Sequence, residues 1–497
     1  MFVAGTRKLC RVGLAAVLVT ALCALALLDL PPQLPDPPTD RPPTRGGEPP
    51  GTRSIVAYSW ARRLALDYRP STECAGNGTP SMAVHALDHL VDEPWLETIP
   101  GQLFLYSAHL DRRVPGYPGI RVIGVKRGSL RTFTLFCTVW YQEGGLVKSL
   151  SMESLIADIW LDEWGGNTIT YTGILATCPI PRSILPLKVT ISPTPCYENP
   201  SHSLIINQKT AHRPNTKRQF TLCIKGLDFE EDVSKKLVAF VELHRILGAS
   251  FFHFYVLNVH ENVLKVLRLY ERSNVVRWIR FSLPGDLPNE KNERRSFLEK
   301  NPWIKRRMEL IPYNHCFYEN LQDSEYVLPI DLDETIVPRR CRNWSHLLLD
   351  ERKRLGKSFK DFASYAVRNA YFFPELQNRS HSTRDADRDL DFDYMDTMRS
   401  AIISPEGDSV KSFISTKRAL TVHNHYALTT LNPSTKRAHH FDPRDVLKHH
   451  HRVCDSKHID CDLLMEDVRI DRSALRFADE LKSRIKTAFD HLNALSM

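Results

Sequence analysis

The stretch that most constrains this chain is Val327-Leu328-Pro329-Ile330-Asp331-Leu332-Asp333-Glu334-Thr335. An apolar run delivers two aspartates spaced i, i+2. In an extended segment that spacing puts both carboxylates on one side and Leu332 on the other. A buried strand that ends in two same-side carboxylates needs positive charge beside it, and a divalent cation holding phosphate oxygens is one way to supply it. An ordinary acidic turn is the plainer alternative.

What precedes the aspartates decides which folds are open. Thr221-Leu222-Cys223-Ile224-Lys225 is strand-like, and Asp228 with Glu231 reads as the N-terminal cap of a helix that ends at Gly248. Leu237, Phe240, Val241, His244 and Leu247 share one face of that helix. Phe251 to Leu257 is a second strand, Glu261 to Tyr270 a second helix and Val275 to Phe281 a third strand. A basic polar stretch follows, then a helix over Ile311 to Asn320. Alternation of this kind predicts an α/β fold with a mostly parallel sheet and ligands at its carboxyl edge. Downstream, Ser364 to Phe373 and Lys411 to Leu420 read as strands, separated by a long acidic loop from Pro374 to Asp396. Leu481, Ile485, Phe489 and Leu492 form the apolar stripe of a closing helix.

The first half has a different texture. Arg121 to Val125, Thr132 to Val139, Thr168 to Thr172 and Leu187 to Ile191 alternate with period two, so a small all-β domain is expected. Before it, nine prolines between Pro31 and Arg53 suit an extended stem. Arg7, Lys8 and Arg11 precede an apolar run from Val12 to Leu28, the pattern of a membrane anchor with its N-terminus in the cytosol. Cleavage as a signal peptide at Ala24-Leu25-Ala26 is the alternative. The expected layout is a cytoplasmic tail over 1–11, an anchor over 12–30 and a stem and linker over 31–95. A β-rich domain over 96–200 and a catalytic domain over 217–497 follow.

Either N-terminal reading sends the body of the chain into the secretory lumen. Nine cysteines follow the apolar run, so several should pair and at least one should remain over. Asn77, Asn343 and Asn378 stand in glycosylation sequons. The net charge of +8 is spread along 497 residues, which excludes a concentrated nucleic-acid-reading surface.

Two chemistries use the local motif. In the haloacid-dehalogenase-like phosphatases an apolar strand runs into Asp-x-Asp-x-Thr, and Asp331 would be the nucleophile with Asp333 as acid and base. Lys411 and Glu466-Asp467 are the candidate partners for that set. That motif usually ends the first strand of its domain, whereas several strand-helix units precede it here. In nucleotide-sugar transfer the acidic pair instead holds Mn²⁺ or a similar ion, which stabilises a departing diphosphate. This reading needs a sheet before the motif and a later ligand, and both are available.

Several stretches in order resemble glycosyltransferase family 92. They are Glu242-Leu243-His244-Arg245-Ile246-Leu247-Gly248-Ala249, Phe252-His253-Phe254-Tyr255-Val256-Leu257-Asn258, Asn314-His315-Cys316-Phe317-Tyr318 and Ser324 through Glu334. The resemblance implies a GT-A fold, a UDP-sugar donor (typically UDP-galactose), Mn²⁺ and inversion at the anomeric carbon. It also implies a glycan or glycoprotein acceptor, and it points to the animal β-1,4-galactosyltransferases of Golgi membranes, acting on galactose- or fucose-bearing glycans. A catalytically inactive glycan-binding protein of the same fold is a further alternative, and a homodimer is left open. Carried over by residue, Asp331 and Asp333 become the metal and diphosphate motif. Lys225, Gly226, Tyr255 and Asn258 would lie at the donor edge, and Arg452 would meet the diphosphate. The family's late His-Tyr-Arg-like segment is nearest to His450-His451-Arg452, which makes His450 the expected third ligand, with His423, His425 and His451 as rivals. Direct displacement also needs a carboxylate base, for which Asp391, Asp393 and Asp396 of the acidic loop are the candidates.

Overall fold

The computed structural model describes residues 71–74, 79–80, 95–114, 118–128, 130, 134–161, 164, 171–208, 217–377, 393–456 and 459–494. The chain divides into two compact units, 1–41 and 42–497, and every described residue lies in the second. The expected anchor, the stem, Asn77, Asn378 and Asp391 lie outside the described residues. Among the described residues no helix is long and apolar enough to cross a membrane.

The described residues between 72 and 207 hold one sheet of antiparallel strands, with Leu204–Asn207 parallel to Leu103–Asp111 as the exception. The central pairs are Leu103–Asp111 with Gly119–Arg127, and Gly119–Arg127 with Tyr171–Pro179. Val122, Cys137, Val139, Ile174, Ala176, Cys178, Val189 and Ile191 fill its interior, as period-two burial requires. Disulfides Cys74–Cys196 and Cys137–Cys178 cross-link this part of the chain.

The second sheet has seven strands, in the order Val276–Arg280, Phe251–Asn258, Arg218–Asp228, Ser324–Pro329, Lys411–Ser415, Phe362–Val367 and Lys436–His440. The first four are mutually parallel. Lys411–Ser415 then runs antiparallel to both neighbours, so the sheet is mixed rather than uniformly parallel. The chain steps outward from Arg218–Asp228 to Val276–Arg280 and returns through Ser324–Pro329 on the other side of Arg218–Asp228. That reversal opens a crevice at the carboxyl ends of these two strands.

One face of the sheet is covered by helices Ser234–Leu247, Glu261–Arg272, Trp344–Leu355 and the closing helix Ala478–Ala494, whose Leu481 and Ile485 enter the core. The other face carries helix Pro302–Glu319, and the β-rich sheet packs against that same layer. Phe104, Tyr106, Trp160 and Tyr171 of the first sheet share one core with Leu283, Met308, Ile311 and Tyr313. The β-rich part is therefore fastened to the catalytic part through continuous apolar burial. Gly285 sits at this seam at φ +62°, where a Cβ would stand 2.7 Å from the Tyr171 hydroxyl and 2.8 Å from Phe104.

Several local expectations change. Asp228 caps no helix: it ends its strand and is bridged by Arg294 and Arg295, each at 3.1 Å. The helix starts at Ser234, whose backbone N–H donates to Asp232. The basic stretch before Ile311 is helical as well, as Lys291–Lys300 and then Pro302–Glu319. Pro302 starts the second helix because its missing N–H costs nothing there. Ser364 to Phe373 splits into Phe362–Val367 and Asn369–Phe372, which enter different sheets. Four disulfides form among the described cysteines, with Cys223–Cys316 and Cys454–Cys461 in the second part, and Cys341 is left as the free thiol.

Candidate active site

The strand Ser324–Pro329 ends at the crevice, and the backbone N–H of Ile330 still donates to Cys223 of the neighbouring strand at 3.1 Å. The next residues turn instead of continuing extended. Glu334 N–H donates to the Asp331 carbonyl at 3.1 Å, and the Glu334 carboxylate accepts from Asp331 N–H at 3.1 Å. Leu332 is buried against the core, and its carbonyl accepts from the Tyr394 hydroxyl. The turn hands the chain to a small sheet in which Glu334–Pro338 is antiparallel to Val446–His451, with Glu334 opposite His450. The two aspartates thus sit on a turn rather than on an extended strand and have different nearest partners, although His450 acts on both and each carboxylate raises the cost of ionising the other.

Asp331 faces the large sheet. Lys225 Nζ lies 3.3 Å from its Oδ1 and Lys411 Nζ 3.1 Å from its Oδ2. Burial disfavours its charge, but the two ammonium groups outweigh burial and hold its pKa far below the ordinary carboxylate range. Lys225 also pairs with Glu309 at 3.1 Å, and Lys411 also meets Glu334 at 3.1 Å and Asn424. Lys448 completes the cluster at 2.5 Å from Glu334. Lys411, Lys448 and Glu334 are almost wholly buried, which requires that each be paired. Tyr313 is buried beside this cluster; burial first, then the charges of Asp331 and Glu309, push its pKa well up.

Asp333 faces the small sheet. Its Oδ2 lies 3.3 Å from His450 Nε2, and its backbone carbonyl accepts from His451 N–H at 2.8 Å. Burial again opposes ionisation, but the His450 contact, with Lys236 farther off, brings its pKa down to about 2. Burial lowers the pKa of His450, helped by Lys448, so the ring is neutral and able to ligate near neutral pH. Tyr371 stacks on the ring at 5.4 Å and fixes its plane.

The structure sorts the other sequence candidates by strand alternation and burial. His449 and His451 project opposite to His450 and pack on Phe372. His451 Nδ1 is 3.8 Å from Asp396. His423 stacks on Trp164 of the β-rich part at 4.4 Å, and His425 bonds to the Val410 carbonyl at 2.7 Å. His423 also feels the charge of Lys411, the partner of Asp331, so the two histidines lie beside the lysine cluster. Tyr255 is not at the donor edge: it is fully buried, and its hydroxyl meets His315 at 2.6 Å. Alternation along Phe251–Asn258 gives Phe252, Phe254 and Val256 to one core and Tyr255 to the other. Asn258 ends that strand with its carbonyl accepting from Phe229 N–H. At Gly226 a Cβ would stand 3.0 Å from the Leu257 side chain, a tight contact that the leucine would have to relieve. Arg452 lies 3.8 Å from Asp455, and its charge reaches Tyr371, the ring stacked on His450. Asp393 is half exposed and paired with Lys236 at 3.0 Å. Asn343 accepts from His346 N–H as the cap of helix Trp344–Leu355.

Sequence reasoning missed Lys448, Glu309 and Asn424. A lysine that follows Val446 and Leu447 in a strand-like run, with histidines after it, was the available signal for the first. The phosphatase set is not assembled. Lys411 does meet Asp331, but Asp467 pairs with Arg469 at 3.7 Å and Glu466 is exposed on a short helix.

Asp333 and His450 fit a divalent cation. They offer one hard oxygen and one neutral nitrogen at a separation normal for adjacent ligands of one ion, and the Asp333 carboxylate is 36% exposed at the crevice. Asp331 is already balanced by lysines and is less available.

The sequence model of glycosyltransferase family 92 matches residues 218–489, more than half of the chain. None of the curated proteins searched matches the chain. The matched segment holds the mixed sheet, the turn from Asp331 to Glu334 and His450. The chain belongs to glycosyltransferase family 92, and its chemistry is the transfer of a sugar from a donor to an acceptor.

Proposed function

We propose that the protein is a GT-A galactosyltransferase that moves galactose from UDP-galactose to a glycan terminus with inversion. The acceptor is a galactose or fucose residue of an N-glycan and the linkage β-1,4. It works in the Golgi lumen, held by an anchor over residues 12–30 and a stem. The observation that carries this reading is the Asp333–His450 pair at the mouth of the topological crevice, beside the lysine-held Asp331.

Asp333 and His450 would hold Mn²⁺. When bound, the ion supplies Lewis-acid stabilisation of the charge that develops on the leaving diphosphate. The protein's own groups do the rest. Lys225 is partly exposed at the end of its strand and offers N–H donors to phosphate oxygens, while Lys411 keeps Asp331 ionised and fixed. Glu334, locked between Lys411 and Lys448, sets the turn that carries the two carboxylates. Asp393 is our candidate for the base that takes the acceptor hydroxyl proton, because Lys236 ties it to the Asp333 side of the crevice.

Transfer of radiolabelled galactose from UDP-galactose to a galactose-terminated N-glycan, with Mn²⁺ and with EDTA, tests the reading. Metal-dependent transfer supports it. Equal or better transfer from another UDP-sugar would overturn the donor assignment, and full activity in EDTA would overturn the metal assignment.

A further inference from the structure

We propose that His109, His315 and Glu319 form a zinc site that fastens the β-rich sheet to the catalytic part, separate from the transfer site. His109 lies on strand Leu103–Asp111, and His315 and Glu319 lie one turn apart on helix Pro302–Glu319. The i, i+4 spacing puts the last two on one face of the helix, turned toward the strand. Glu319 Oε1 is 3.8 Å from His109 Nδ1 and 3.9 Å from His315 Nε2, and all three ligand atoms lie within 4.8 Å of one another. All three residues are buried, at 3%, 8% and 5% exposure.

These distances are too long for hydrogen bonds. They are longer than the separation of about 3.3 Å expected between ligands of a four-coordinate zinc with bonds of about 2.0–2.1 Å. Closing the set means shortening these separations by roughly 0.5–1.5 Å, within what χ rotations of the three side chains allow. The outer atoms are already arranged as a zinc shell needs. His315 Nδ1 meets the Tyr255 hydroxyl at 2.6 Å, and His109 Nε2 meets the Ser107 hydroxyl at 3.0 Å. A hydroxyl accepts as readily as it donates. Each ring can therefore send its N–H outward and turn a lone pair toward Glu319, the arrangement that orients metal-bound histidines. Arg277 holds Glu319 Oε2 at 2.8 Å, and Asn207 donates to Oε1, so the carboxylate is ionised and aimed. Arg277 is 39% exposed, so solvent screens much of its charge from an ion on the other side of the carboxylate.

Two imidazole nitrogens and one carboxylate oxygen suit zinc better than calcium or magnesium, which prefer all-oxygen sets. The site bridges the two sheets, where an ion would add a cross-link to the apolar seam. It shares no residue with the Asp333–His450 pair.

The experiment is metal analysis by mass spectrometry of the purified full chain after dialysis without chelator. About one zinc per chain is expected in the wild type and in Asp333→Asn, and much less in His109→Gln. A chelator should lower the melting temperature, and added zinc should restore it. A zinc-free wild type that gains no thermal shift from added zinc overturns the proposal, as does a folded His109→Gln that keeps its zinc. Should His109→Gln fail to fold, Co²⁺ added to chelator-treated wild type decides instead. The intense visible absorption of a four-coordinate cobalt site, held by the three side chains and one solvent ligand, supports the proposal, and its absence overturns it.

Discussion

Asp333 Oδ2 and His450 Nε2 stand 3.3 Å apart although 117 residues separate them in sequence. The contact exists because Glu334–Pro338 and Val446–His451 pair antiparallel with Glu334 opposite His450. One residue of slip would turn His450 to the other face and put His449 or His451 in its place.

Asp333→Asn should keep the fold and lower transfer by about 100- to 1000-fold, the scale of losing one charged contact to a transition state. His450→Gln should raise the Mn²⁺ concentration needed for half-maximal rate, whereas His423→Gln should leave it unchanged. Titrating Mn²⁺ at fixed donor in the three variants checks both statements. An unchanged metal requirement in His450→Gln would reject His450 as a ligand.

Lys411→Met tests the buried charge cluster. It removes the ammonium shared by Asp331 and Glu334, so that Lys225 and Lys448 are left against three carboxylates with one buried negative charge uncompensated. The expected loss is about 3–5 kcal/mol of stability, measured by urea unfolding. A loss below about 1 kcal/mol would be that of an exposed pair and would contradict the burial.

His244 gives a pH dependence with a definite sign. Burial lowers its pKa to about 4, while Nδ1 bonds the Phe240 carbonyl at 2.7 Å. The unfolded chain, with a histidine pKa of about 6.5, binds the proton more tightly than the folded chain. The stability contribution is thus complete above pH 6.5 and falls away as the pH drops toward 4. His244→Gln should flatten the stability profile between pH 7 and pH 5 by about 1–2 kcal/mol. Parallel wild-type and variant profiles would show that His244 does not titrate in this way.

Gly285→Ala should loosen the seam between the two sheets. The positive φ and the close approach to Tyr171 and Phe104 both oppose a methyl group. A loss of about 1–3 kcal/mol is expected, with faster proteolysis between the two parts. A stability equal to wild type would show that the backbone relaxes freely there.

Much of the catalytic half was legible from local pattern. The strand at Thr221, the helix at Glu261, the strand at Val275 and the closing amphipathic helix follow from apolar periodicity, because burial on one face imposes that period. The helix at Lys291 and the start of the one at Pro302 were hidden because charged and polar residues dominate the stretch, with Arg294 and Arg307 buried on faces that an apolar period would not mark. The four disulfide pairings were likewise closed to sequence, since pairing depends on which strands meet.

By itself the sequence determined that an apolar strand must deliver Asp331 and Asp333 to a sheet edge after several strand-helix units, and which ordered segments resemble family 92. The tertiary structure decided what each carboxylate meets. The turn locked by Glu334 sends Asp331 to Lys225 and Lys411 and Asp333 to His450. It also took Tyr255 into the seam and turned Arg452 toward Asp455. The physical reason is range. Periodicity records how a residue relates to its own element, but an ion pair is set by register between strands far apart in the chain.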